Sequence, residues 1–141
     1  MDDPFNLQRF VEAQAPVYPQ VLDELMHGEK TSHWMWFIFP QIAGLGRSAM
    51  AQQFAISSAG EAQAYLEHPV LGPRLVECVS FLLGIEGRTA ETVFGDTDAM
   101  KLRSSLTLFL AASGGEKMFE DALDKYFDGV PDLRTLTAIR C

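Results

Sequence analysis

Cysteine is nearly absent from this chain of 141 residues. Cys78 and Cys141 are the two it has. A pair so far apart offers neither a disulfide framework nor the clustered thiols of a structural zinc site. No apolar run approaches the ~18 residues needed to cross a bilayer. The start, Met1-Asp2-Asp3-Pro4, is acidic where a secretory signal would be basic. No internal repeat, low-complexity tract or long Pro/Gly/Ser linker is present. Basic charge is scarce as well: 11 Lys and Arg stand against 19 Asp and Glu, for a net charge of −8. That balance argues against a duplex nucleic-acid partner or an anionic membrane, where each phosphate contact calls for a cation. These absences lead us to expect one soluble, cytoplasmic domain spanning 1–141.

The content is ordinary globular material, 48% hydrophobic and 21% charged. The charge is unevenly placed: residues 1–29 carry six acids and one base, and residues 30–103 seven and six. The middle is thus almost neutral and a small anionic ligand remains compatible with it, because a pocket responds to its own lining.

Helical periodicity runs nearly throughout, and no clean period-two run of strand length survives. Val21, Leu22, Leu25 and Met26 form a stripe that ends at Gly28. Thr31 or Ser32 is the expected N-cap of a segment reaching Pro40. Ser57 or Ser58 should cap another through Tyr65. Leu71, Leu75, Val79 and Leu82 give a strong face, with Pro73 tolerated in the first turn. Asp98 is the expected cap of the longest helix, Lys101 to Ala112. The fold class is therefore all-α, a compact domain of about seven to nine short helices.

Chemistry concentrates between Lys30 and Ser48. Both tryptophans, Trp34 and Trp36, lie in the run Ser32-His33-Trp34-Met35-Trp36-Phe37-Ile38-Phe39-Pro40-Gln41. Apolar residues there cover every helical face, so the run is either a central buried helix or the wall of an aromatic pocket. Lys30, Gln41, Arg47 and Ser48 frame it, and their polar ends need partners if they sit beside a core. The loop Gly44-Leu45-Gly46-Arg47-Ser48 leads toward a helix, which would bring free N–H groups and a guanidinium together to hold phosphate. Further along, Lys101, Ser104 and Ser105 are neighbours across one helical turn and would suit a sugar or phosphate. Alternatively the two hydroxyls bond back to the helix. His27 reads as a helix-end residue and His68 as part of a cap. The histidines have no ligand spacing, so no metal and no cofactor is expected.

The run Lys30 to Gln41, the Gly44-to-Ser48 loop, His68-Pro69-Val70-Leu71-Gly72-Pro73-Arg74-Leu75, Phe94-Gly95 and Lys101-Leu102-Arg103-Ser104-Ser105 together resemble the bacterial domain-of-unknown-function family numbered 1810. This resemblance covers nearly the whole chain and implies a compact all-helical domain. A more distant outline is similar to the NADAR domains, helical proteins of NAD and ADP-ribose metabolism, some of which cleave N-glycosidic bonds. Ser32-His33, Gln41, Gly46-Arg47, His68-Pro69 and Leu75 carry that outline. NADAR domains place a glutamate immediately before the histidine, whereas Ser32 stands there in this chain and Glu29 is the nearest substitute.

The resulting expectation is an ADP-ribose-like or other nucleotide ligand between Trp34 and Trp36. Arg47, Lys101 and the glycine loop with Gly46 would hold its phosphates, and His33 and Gln41 would contact ribose or base. Ser104 or Ser105 would complete the polar wall, and Lys30, Ser32 and Ser48 are further expected ligand-binding residues. If a reaction occurs, the resemblance implies a metal-independent N-glycosidase or related hydrolase, with His33 and Glu29 as the candidate catalytic groups. The rival expectation is a non-enzymatic interaction or scaffold domain whose tryptophans belong to the core and whose protein partner is unknown.

Overall fold

A computed structural model describes residues 3–139. Cys141 and the first two residues lie outside them. The described residues form ten α-helices: α1 Gln8–Gln14, α2 Tyr18–Met26, α3 Met35–Ile38, α4 Ala49–Gln53, α5 Ala59–Glu67, α6 Leu71–Gly84, α7 Ala90–Phe94, α8 Asp96–Ala112, α9 Lys117–Phe127 and α10 Leu133–Ile139. The all-α class holds. The count exceeds the expected seven to nine because α3, α4 and α7 are helices of one turn or little more.

The long helix α8 is the hub, and α5, α7, α9 and α10 all pack on it. Its apolar residues cover nearly the whole circumference. Leu102, Leu106, Leu108 and Phe109 are all buried, which a central helix requires. Phe109 stacks on Phe119 of α9 and meets Tyr65 of α5, with ring centroids 6.1 and 5.2 Å apart.

The cap predicted at Ser58 is present, its side chain accepting from the Glu61 amide, and at the head of α7 Thr89 and Thr92 form a reciprocal capping box. His68 accepts from the amides of Val70 and Leu71 at the head of α6. Asp98 is not the cap expected of it. Gly95, at φ +83°, ends α7 and begins α8, so the helix starts at Asp96 and Asp98 lies inside its first turn. A positive φ at that joint favours glycine.

The segment from Thr31 to Pro40 also differs from expectation. Its only helix is the single turn α3, and neither Thr31 nor Ser32 caps it. Both of their amides are drawn backward to a carboxylate of α2. Beyond α3, Ile42 and Ile56 form one parallel bridge, with Ala43 N donating to Ile56 O and Ile56 N to Gln41 O, both at 2.8 Å. The bridge closes a loop that carries Gly44, Gly46 and α4.

Candidate functional site

Glu24 is the carboxylate that organises the tryptophan segment, and it sits 3% exposed on the inner face of α2. Its Oε1 accepts from the amides of Thr31 at 2.7 Å and Ser32 at 3.0 Å and from Trp34 Nε1 at 3.0 Å. Its Oε2 accepts from Gln20 Nε2 at 2.8 Å. Burial by itself would raise its pKa. The hydrogen bonds from the Ser32 hydroxyl, Gln20 and the Ser32 and Thr31 amides outweigh that and hold it at about 2. Trp34 is consequently pinned in the core at 1% exposure and lines neither of the cavities described below. The expected wall of two tryptophans is reduced to Trp36.

The lysines form a relay on the same side. Lys30 Nζ lies 2.8 Å from Asp98 Oδ2, and Lys101 Nζ lies 3.5 Å from Asp98 Oδ1. One carboxylate therefore serves two ammonium groups. Lys30 also lies over the Trp34 ring at 5.1 Å from its centroid, and Lys101 over Trp36 at 5.2 Å. These are cation–π distances.

Lys101 opens into a cavity of about 220 Å³ between α8, α10 and the glycine loop. Thr97, Met100, Lys101 and Ser104 line it from α8 at spacings of three and four, which place them on one helical face. Arg103, Arg134 and Asp132 complete the charged lining, and Gln41, Leu45 and Gly46 supply the opposite wall. Asp132 Oδ2 is occupied by the Thr135 amide and hydroxyl, which fastens the start of α10. Arg103 lies over the Phe127 ring, and its buried Nε has no hydrogen-bond partner among the described residues.

A second cavity, of about 240 Å³, lies on the other side of Gln41 and Gly46. Trp36, Ile42, Ala51, Phe54 and Ala55 give it an apolar wall, and no charged side chain lines it. Gly46 is required at the partition, because a Cβ there would fall 2.5 Å from the Ala51 Cβ.

The predicted site residues thus separate into two groups. Gln41, Gly46, Lys101 and Ser104 meet around the cationic cavity, Trp36 lies next door, and Lys30 joins through Asp98. His33, Glu29 and Arg47 are exposed and line neither cavity. Ser48 is consumed as the cap of α4, where its Oγ accepts from the Ala51 amide. Because α4 has five residues and that amide is already taken, the expected phosphate-holding helix start is not there. Ser32 is tied to Glu24. Ser104 Oγ donates to the Met100 carbonyl, while Ser105 faces the core at 1% exposure with its Oγ unpartnered among the described residues.

Sequence reasoning missed Glu24, Arg103 and Arg134. Glu24 carried a signal, since it falls three residues after Val21, on the apolar stripe itself. Arg134 carried none, because only the packing of α10 on α8 brings it near Lys101.

Among solved structures, the chain is similar to the conserved hypothetical protein Rv1873 from Mycobacterium tuberculosis. The two share 50% identity over 99% of each chain, with a TM-score of 0.97. No curated protein matches it. The family model described as "Protein of unknown function (DUF1810)" matches residues 4–139, and the chain with this arrangement of helices, lysine relay and paired cavities belongs to that family.

Proposed function

We propose that the protein binds a small anionic, nucleotide-like ligand, its phosphates lying in the cavity lined by Lys101, Arg103 and Arg134. One observation carries this reading: unspent positive charge collects there in a protein of net charge −8. Several cations elsewhere are committed, and Arg47 and Arg88 stand singly on the exposed surface. Arg9 donates to four backbone carbonyls and to Glu61, and Lys125 to the carbonyls of Leu83 and Ile85. Lys101 holds half a share of Asp98, Arg103 rests on a ring, and exposed Arg134 has no ion-pair partner among the described residues. Guanidinium groups beside hydroxyls suit phosphate oxygens. The ADP-ribose-like form of the ligand rests on the distant NADAR outline, of which Gln41 and Gly46 line this cavity.

Binding has more support than hydrolysis. An N-glycosidase needs a carboxylate or imidazole at the bond it cleaves. His33 and Glu29 line neither cavity, and Asp132 is engaged by Thr135. Docking of a protein partner is the second reading, favoured by Met100 and Leu133, each 72% exposed, at the cavity rim and in the adjoining depression.

A thermal-shift panel of pyrophosphate, nucleoside diphosphates and nucleotide-sugars tests the proposal. A ligand at 100 times its Kd stabilises the native state by about 2.7 kcal/mol. For a domain of this size that corresponds to a rise in Tm of roughly 5 to 13 °C. A flat response across the panel overturns anion binding and leaves the docking reading.

A further inference from the structure

Asp98 stands in an awkward place for an anion site. Its Oδ1 lies 3.5 Å from Lys101 Nζ, and Lys101 lines the cationic cavity together with Thr97, the residue just before Asp98. A carboxylate so placed opposes a phosphate twice, by repelling it and by engaging the ammonium that would meet it. The other oxygen, Oδ2, lies 2.8 Å from Lys30 Nζ. Resting on the anion-binding reading above, we infer that Lys30 is a positioning residue for that site: by neutralising Asp98 from outside the cavity, it leaves Lys101 available to the phosphates of the ligand.

Geometry ranks the two lysines. Lys30 is the closer partner of Asp98 and the less exposed one, its side chain 7% accessible against 23% for Lys101. Attraction between charges grows as distance and solvent screening fall, so Asp98 pairs chiefly with Lys30. The placement of Lys30 is also built in. Its amide donates to the Val93 carbonyl at 2.8 Å, and its ammonium lies over the Trp34 ring, which Glu24 holds through Nε1.

Lys30 lines neither cavity, so its route to a ligand runs through Asp98. Lys101 rests over the neutral ring of Trp36 and faces the cavity. The row therefore alternates in sign, a compensated Lys30–Asp98 pair behind and one uncompensated cation in front. Without the Lys30 charge, Asp98 and Lys101 would compensate each other, and the cavity would rely on Arg103 and Arg134.

Calorimetric titration with inorganic pyrophosphate tests this on four full-length chains: the parent, Lys30→Met, Asp98→Asn and the double variant. Lys30→Met should weaken binding by about fivefold or more, and Asp98→Asn should tighten it by about twofold or more. The double variant should bind within about twofold of Asp98→Asn alone, because no carboxylate is left to neutralise. A lysine that merely supports the fold gives a loss that Asp98→Asn does not repair. That result, or a Lys30→Met affinity within about twofold of the parent, overturns the inference while parental binding keeps the anion site standing. Failure of the parent to bind pyrophosphate overturns both. Should Lys30→Met not fold, Asp98→Asn decides, and an affinity no higher than the parent's overturns the inference.

Discussion

Replacing Glu24 by glutamine removes one charge from the interior with almost no change in volume, and its consequence depends on pH in a calculable way. In the folded protein the carboxyl is held at about 2, against an ordinary value of 4.5. At about 1.36 kcal/mol per pKa unit, that gap corresponds to about 3 kcal/mol of native stability. Because the folded pKa is the lower one, the contribution is complete above pH ~4.5 and fades as pH falls toward 2. Glutamine forfeits it at neutral pH, where its NH2 group also confronts donors that need an acceptor. Urea unfolding followed by far-UV circular dichroism should show Glu24→Gln less stable by about 3 kcal/mol at pH 7, equivalent to roughly 10 °C in Tm. Near pH 2 the variant and the parent should converge, since the parent's carboxyl is then becoming neutral too. A difference below about 1 kcal/mol at pH 7, or a constant difference from pH 7 to 2, would refute the reasoning.

Gly72→Ala should be among the most damaging single changes, because the new Cβ would lie 2.1 Å from the Leu66 carbonyl oxygen, which is backbone and has no rotamer to yield. More than about 3 kcal/mol should be lost in the same urea assay. Gly46→Ala meets a side-chain carbon at 2.5 Å and should cost about 1–3 kcal/mol by overpacking, read as a fall in Tm. Arg134→Ala should leave the unliganded Tm within about 1 °C but weaken ADP binding at least tenfold, whereas Arg47→Ala should change neither, as titration calorimetry can determine.

Much of the fold was readable because α6 and α9 carry their apolar residues on one face, and those residues are buried. Caps at Ser58 and Thr89 were readable for an equally local reason. The tryptophan segment was harder. Two residues apart on a helix lie about 200° apart around its axis. Trp34, just outside α3, and Trp36, within it, do face different surroundings, one bonded to Glu24 in the core and the other beside a cavity. That separation could have been inferred. The hairpin-like return of Thr31 and Ser32 to Glu24 could not, since it closes over seven and eight residues without a periodic pattern. Arg134 and Lys101 are similarly joined only by tertiary packing, so the cationic cavity was visible in sequence from one side alone.

The position of α8 in the chain has a consequence for biosynthesis. Four helices converge on a segment that begins only at Asp96, after two thirds of the protein has been made. Until then Tyr65 has Phe10 and α6 beside it but lacks Phe109, and the side of α5 that packs on α8 stays open. The emerging amino-terminal portion must therefore wait as an incomplete shell, exposed to solvent and to chaperones, and then condense when the axis arrives. Among the described residues the last third is not appended to a finished structure but inserted through the middle of an unfinished one.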